Sequence, residues 1–177
     1  MTKFIYSIFI ALLLFCSCQK KEIPDQDKEA LVTNFYFIRH AEKDRSDTQD
    51  KNPHLTEIGH KRAQQWNEIF KHINFDAIYS TDFYRTRETV MPLVKKNSLE
   101  LSIYDPNTLN MTSLKKDHYG KNILVVGHSN TTPALVNKLI GKLVYSDIED
   151  NNNGNLYVVS MVENNISHLV LEINNYL

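Results

Sequence analysis

Past Cys18 the sequence contains no cysteine, so neither a disulfide framework nor a thiolate metal cluster is open to the residues that follow. The seven histidines form no His-Glu-x-x-His pair, and no metal or other cofactor is expected. A basic excess is missing too: the formal net charge is −1, whereas a nucleic-acid binder would show a strongly basic face. No internal repeat and no second domain are apparent, which leaves no sign of a solenoid or of a partner-protein module. The apolar run near the start lies within residues 1–17, MTKFIYSIFIALLLFCS, behind a single lysine. It has the length of a signal-peptide core and is too short for a comfortable membrane span.

Residues 1–17 are therefore expected to be an export signal. The run stops at Phe15-Cys16-Ser17-Cys18 ahead of the polar Gln19-Lys20-Lys21-Glu22. This is similar to the cleavage and lipidation site of bacterial lipoproteins, with Cys18 acylated; a plain transmembrane anchor is the alternative. The expected location is outside the cytoplasm, periplasmic or attached to the outer membrane through the lipid on Cys18. Residues 18–33 are polar and mostly charged, as expected of a tether reaching roughly 20 Å. Residues 34–177 then form one domain, long enough to bury an adequate core without disulfides.

Short β-rich runs alternate with longer helical ones. Strands are expected at Asn34 to Ile38, Asp76 to Ser80, Leu99 to Tyr104 and Asn122 to Gly127; the last, NILVVG, is a continuous apolar run of the kind found inside parallel sheets. Helices are expected over Thr56 to Ile73, Thr81 to Lys96, Met111 to Lys116 and Asn130 to Ile140. In the first of these Ile58, Ala63, Trp66, Ile69, Phe70 and Ile73 share a face. Pro92 should kink or shorten the second. Leu156 to Val162 and Ile166 to Ile173 read as a closing hairpin. This order predicts an α/β fold, three layers α/β/α around a mostly parallel sheet.

In such a sheet ligands bind beyond the carboxyl ends of the strands, where loops lead into helix N-termini. Three strand ends carry the unusual residues: Arg39-His40, then Ser80-Thr81-Asp82-Phe83-Tyr84-Arg85, then Gly127-His128-Ser129-Asn130. Planar arginine donors and helix-end amides suit an anion such as phosphate. One histidine could attack phosphorus, neighbouring arginines keeping it neutral; alternatively both histidines merely bind the anion.

The ordered blocks FIRHAEK (Phe37 to Lys43), PHLTEIG (Pro53 to Gly59), YSTDFYRTRET (Tyr79 to Thr89) and VVGHSNT (Val125 to Thr131) resemble the histidine phosphatase superfamily, also called phosphoglycerate mutase-like. The resemblance implies a phosphoglycerate mutase-like fold and a phosphomonoester hydrolase working through a phosphohistidine on a small phosphorylated substrate. His40 would take the phosphoryl group, Arg39 and Arg85 would hold its oxygens, His128 would complete the pocket and Ser129 would add a phosphate contact. Arg85 is preferred to Arg87 because the family arginine stands four residues before the threonine, here Thr89. Asp105, just after the third strand, is placed as proton donor, with Glu42 and Asp44 as competitors and a plain turn role for Asp105 as the alternative.

Other readings lead elsewhere. A degenerate member would bind phosphorylated ligands without turnover, and a phosphomutase would need closing loops over the intermediate, which the short spans between blocks do not favour. Gly127-His128-Ser129-Asn130-Thr131 also begins like a serine-hydrolase elbow, with His168 and Asp147 or Asp150 to finish a triad, but Thr131 stands where the second glycine belongs. The remaining histidines, His60, His72, His118 and His168, are taken as surface or structural, and His54 as a residue of the pocket rim.

Overall fold

The computed structural model describes residues 30–173; the expected signal peptide, Cys18 and most of the tether lie outside the described residues. Ten elements follow in the order β1 (Val32–Arg39), α1 (Glu57–Ile69), β2 (Ala77–Ser80), α2 (Tyr84–Asn97), β3 (Leu101–Ile103), α3 (Met111–Asp117), β4 (Asn122–Gly127), α4 (Thr131–Ile140), β5 (Asn155–Val162) and β6 (Asn165–Glu172). They build a mixed six-stranded sheet of order β3-β2-β4-β1-β5-β6. The first four strands in that order run parallel, and β5 and β6 close the sheet as an antiparallel hairpin.

The period-two geometry of a strand sends alternate side chains to opposite faces, and the core shows both faces covered. Phe35, Phe37, Ile123 and Val125 pack under α3 and α4 against Leu114, Leu135, Val136 and Leu139. Ile38, Leu124 and Val126 pack on the other side against Trp66 and Phe70 near the end of α1 and Val90, Leu93 and Val94 of α2. That is the expected three-layer α/β/α sandwich. Burying each of these large apolar side chains is worth about 1.5–3 kcal/mol before the entropy of ordering it.

Three helical expectations change. Ile58 and Ile69 are exposed, and the buried face of α1 is Gly59, Arg62, Ala63 and Trp66, continuing to Phe70. The stripe turns because Arg62 takes a core-facing position, where its guanidinium clamps both carboxylate oxygens of Glu42 at 2.8 and 2.9 Å. Pro92 neither breaks nor shortens α2, which runs on to Asn97. The helix loses one internal hydrogen bond there, and the buried Val90, Leu93 and Val94 on either side of Pro92 hold it in place. At its start, α2 begins at Tyr84 rather than Thr81, since Thr81 to Phe83 form the turn out of β2.

Candidate active site

Arg39 pairs with Gly127 where the parallel strands β1 and β4 end side by side, and the His40 amide donates to the Gly127 carbonyl at 3.0 Å. This leaves His40 and His128 facing one another across the crevice, with ring centroids 5.5 Å apart. Gly127 is required by close packing: a Cβ there would lie 2.9 Å from the hydroxyls of Thr131 and Thr132 and 3.0 Å from that of Tyr104. The Thr131 hydroxyl in turn accepts from the His128 amide at 3.0 Å. The loop after His40 is pinned from several sides. Asn153 Nδ2 donates to the His40 carbonyl at 2.8 Å. The Ala41 amide donates to Thr89 Oγ1 at 2.8 Å, and that hydroxyl donates on to the Arg85 carbonyl at 2.6 Å. Thr89 thus fixes α2, and with it Arg85, against the loop that follows His40. The first turn of α1 presses on the same loop, since a Cβ on Gly59 would meet the Glu42 carbonyl oxygen at 2.2 Å.

The electrostatics follow from that packing. His40 is 3 % exposed, and its Nδ1 lies 2.7 Å from the Ala41 carbonyl. A carbonyl can only accept, so Nδ1 carries the hydrogen and Nε2 keeps its lone pair. Burial drives the His40 pKa from its ordinary 6.5 down to about 3, with the Arg39, His128 and Arg85 charges adding in the same direction against the Ala41 hydrogen bond. Burial together with Arg85, Arg39 and Lys43 lowers His128 to about 4. Both imidazoles are neutral at neutral pH. Arg85 is buried, its guanidinium 4.3 Å from the centre of the Phe83 ring, and Phe83 meets His128 edge-on at 5.0 Å.

The two arginines differ in their partners. Arg39 Nη1 donates to the carbonyls of Glu149, Asp150 and Asn152 at 2.9, 3.1 and 2.9 Å, and Nη2 to Asp150 Oδ1 at 3.0 Å. Its Nε, the Nε and Nη1 of Arg85, and Nε2 of His128 are buried without a hydrogen-bond partner among the described residues. Buried donors left in that condition are costly unless something else takes them. Four such atoms on three residues gathered at one edge of the sheet leave donor capacity there that an oxyanion could take up.

The remaining sequence-predicted residues divide. Ser129 follows His128 at the crevice and is half-buried, its carbonyl accepting from Ile148 at 2.9 Å. Asp105 is exposed in the loop that follows β3, next to Tyr104, whose hydroxyl reaches the Val126 carbonyl. Its Oδ1 accepts from the Asn107 amide and side chain at 2.9 and 3.0 Å, the turn role the sequence left open. Glu42 is held by Arg62, and Asp44 is exposed, its carboxyl kept low by the Ser46 amide. Arg87 pairs with Asp82 on the surface at 2.8 Å. His168 bonds Tyr145 at 2.8 Å on β6, three strands from β4, and makes no contact with Ser129. His54 pairs with Glu88 and stacks on Tyr84 at 4.1 Å. Thr89 served in the sequence only to place Arg85, and its bonds to the Ala41 amide and the Arg85 carbonyl, like that of Asn153 to the His40 carbonyl, come from the structure.

Comparison with known proteins agrees with this geometry. The family model described as histidine phosphatase superfamily (branch 1) matches residues 35–106, the segment that carries Arg39, His40 and Arg85. Among solved structures, the protein histidine phosphatase SixA complexed with tungstate superposes with a TM-score of 0.61 at 15% identity, covering 78% of this chain and 96% of that one. The alpha-ribazole phosphatase from Shigella flexneri gives 0.61 at 15%, with 78% and 96% covered. A phosphoserine phosphatase from Entamoeba histolytica, in complex with 3-phosphoglyceric acid, gives 0.57 at 16%, with 81% and 98% covered. No curated protein sequence matches the chain. The α/β fold is that of the histidine phosphatase structures, and residues 35–106 are similar to the histidine phosphatase superfamily.

Proposed function

We propose that this protein is a phosphomonoester hydrolase in which His40 carries the phosphoryl group. The observation that carries the reading is the buried, neutral His40, tautomerically fixed by Ala41, beside four buried nitrogen atoms of Arg39, Arg85 and His128 that no described residue satisfies. A substrate phosphoryl group reaching these atoms takes hydrogen bonds from Arg85 Nε and Nη1 and from Arg39 Nε. His40 Nε2 attacks phosphorus, the ester bond breaks, and the charge on the equatorial oxygens stays clamped by fixed guanidinium groups. Water then attacks the phosphohistidine, phosphate leaves and His40 returns to its starting tautomer. His128, neutral, supplies a hydrogen bond through Nε2, and Ser129 borders the same pocket.

The SixA structure that shares the fold holds tungstate, an oxyanion of the kind these donors would take up. The substrate is proposed to be small, because the loops between the strand ends are short. The site is further proposed to work outside the cytoplasm, held to a membrane by a lipid on Cys18; incorporation of labelled fatty acid into the full chain, lost in Cys18→Ala, tests that part. The catalytic reading is tested on the full chain in detergent with p-nitrophenyl phosphate. Hydrolysis that disappears in His40→Ala, with a phosphoryl adduct on the wild-type chain that is labile to acid and stable to base, is the expected result. Turnover that survives His40→Ala overturns it.

A further inference from the structure

The hydrolysis proposed above needs a proton for the departing ester oxygen, and each carboxylate named from the sequence is engaged elsewhere or held ionised. Glu42 is clamped by Arg62, Asp105 caps a turn with Asn107, and Asp44 is exposed and held ionised. Asp150 lies close, but its Oδ1 bridges Arg39 and Arg45 at 3.0 and 2.9 Å, which keeps its proton off. His54 is tied to Glu88, and the Tyr104 hydroxyl donates to the Val126 carbonyl at 3.0 Å.

Lys43 remains, and its place differs from all of these. It lies three residues past His40 and is fixed there by backbone pairing with Leu55. It lines a cavity of about 520 Å³ together with Glu42, Arg45, Glu149, Asp150 and Asn153. Two of its lining residues reach toward the proposed nucleophile, Asp150 bonding Arg39 and Asn153 bonding the His40 carbonyl, and the Lys43 charge is felt at His128. The lysine is half-buried, and among the described residues its ammonium has no ion pair or hydrogen bond. We propose that Lys43 is a catalytic residue, the general acid and base of the reaction, and that the cavity it lines receives the leaving group.

The steps balance. As His40 Nε2 bonds to phosphorus and the ester P–O bond breaks, the leaving oxygen takes a proton from the Lys43 ammonium and departs as the alcohol. The neutral amine then accepts a proton from the water that attacks the phosphohistidine, and the N–P bond breaks to return His40. Burial and the charges of Arg85, Arg45 and Arg39 push the Lys43 pKa down, with Asp150 opposing them, and a lysine brought toward the working pH releases and regains a proton more readily.

This inference rests on the phosphatase reading, and the test separates the two. The full chain in detergent is assayed with ethyl phosphate, whose alkoxide needs a proton to leave, and with dinitrophenyl phosphate, whose phenolate departs without one. Lys43→Met is expected to lose about 10²–10⁴-fold in kcat/KM on ethyl phosphate and less than about tenfold on dinitrophenyl phosphate. Lys43→Arg keeps the charge but holds its proton, so it should fail on ethyl phosphate as Lys43→Met does. Equal losses on both substrates, or full rescue by arginine, would make Lys43 a mere charge and overturn the proposal. A wild-type chain that hydrolyses neither substrate removes the phosphatase reading itself, and the proton donor with it.

Discussion

The centre of the sheet and its outer hairpin are built from similar residues and treated oppositely. In β1 and β4 nearly every side chain from Phe35 to Arg39 and from Ile123 to Gly127 is buried or half-buried, with helices on both faces. In β6 all eight residues are exposed, although Ile166, Leu169, Val170 and Leu171 are as apolar as those of β4. Apolar character alone therefore does not decide burial; position in the strand order does. The proposed chemistry sits where burial is deepest, because a low-dielectric surround strips His40 of its proton and strengthens the action of nearby guanidinium groups.

The largest expected effect tests that contrast at its core. His40→Ala should lower kcat/KM on p-nitrophenyl phosphate by about 10⁴–10⁶-fold, as loss of a nucleophile does elsewhere, with an unchanged circular dichroism spectrum. Phe37→Ala, two residues earlier and fully buried, should cost about 3–5 kcal/mol of stability in denaturant titration. The arginines sharpen the comparison within the site. Each replaced by alanine should lose about 10²–10³-fold in kcat. Arg39→Ala should also lower Tm and admit protease between residues 149 and 152, because its guanidinium holds that loop by four hydrogen bonds, whereas Arg85→Ala should leave Tm nearly unchanged.

A pH titration of stability probes the same burial. His40 and His128 have folded pKa values of about 3 and 4, below their ordinary 6.5. Between those values the unfolded chain binds protons that the folded chain does not, so stability is full above about 6.5 and falls as the pH drops toward 4. Thermal unfolding from pH 8 to 4 should show that decline, with a shallower slope in His40→Ala. A stability that rises on acidification would contradict the buried neutral pair.

Much of this was legible in the sequence where one local rule decided the outcome. NILVVG gave β4 with its observed bounds because a strand covered on both faces has no polar register to misread. Arg39, His40, Arg85 and His128 were found together because a parallel sheet gathers its strand ends on one edge. What could not be read depended on partners far along the chain. The buried stripe of α1 turns because Arg62 meets Glu42, twenty residues earlier. Pro92 is tolerated because of the packing around it, and Arg39 turns out to hold the 149–152 loop as well as to border the pocket. Asp105 was placed by analogy of position, and its carboxylate caps a turn with Asn107 that no local pattern announced.

The smallest effect completes the contrast. Leu169 is 48% exposed on β6, and Leu169→Thr removes apolar surface that folding hardly covers. The β-branched replacement keeps strand propensity, so the change in unfolding free energy should stay within about 0.5 kcal/mol, and turnover should not move. Val125 on β4 is of similar polarity but 1% exposed, and Val125→Thr places a hydroxyl where no partner reaches it, at a cost of about 1–3 kcal/mol. If the two threonine variants unfolded at the same denaturant concentration, strand position would not be what separates the sheet's centre from its rim.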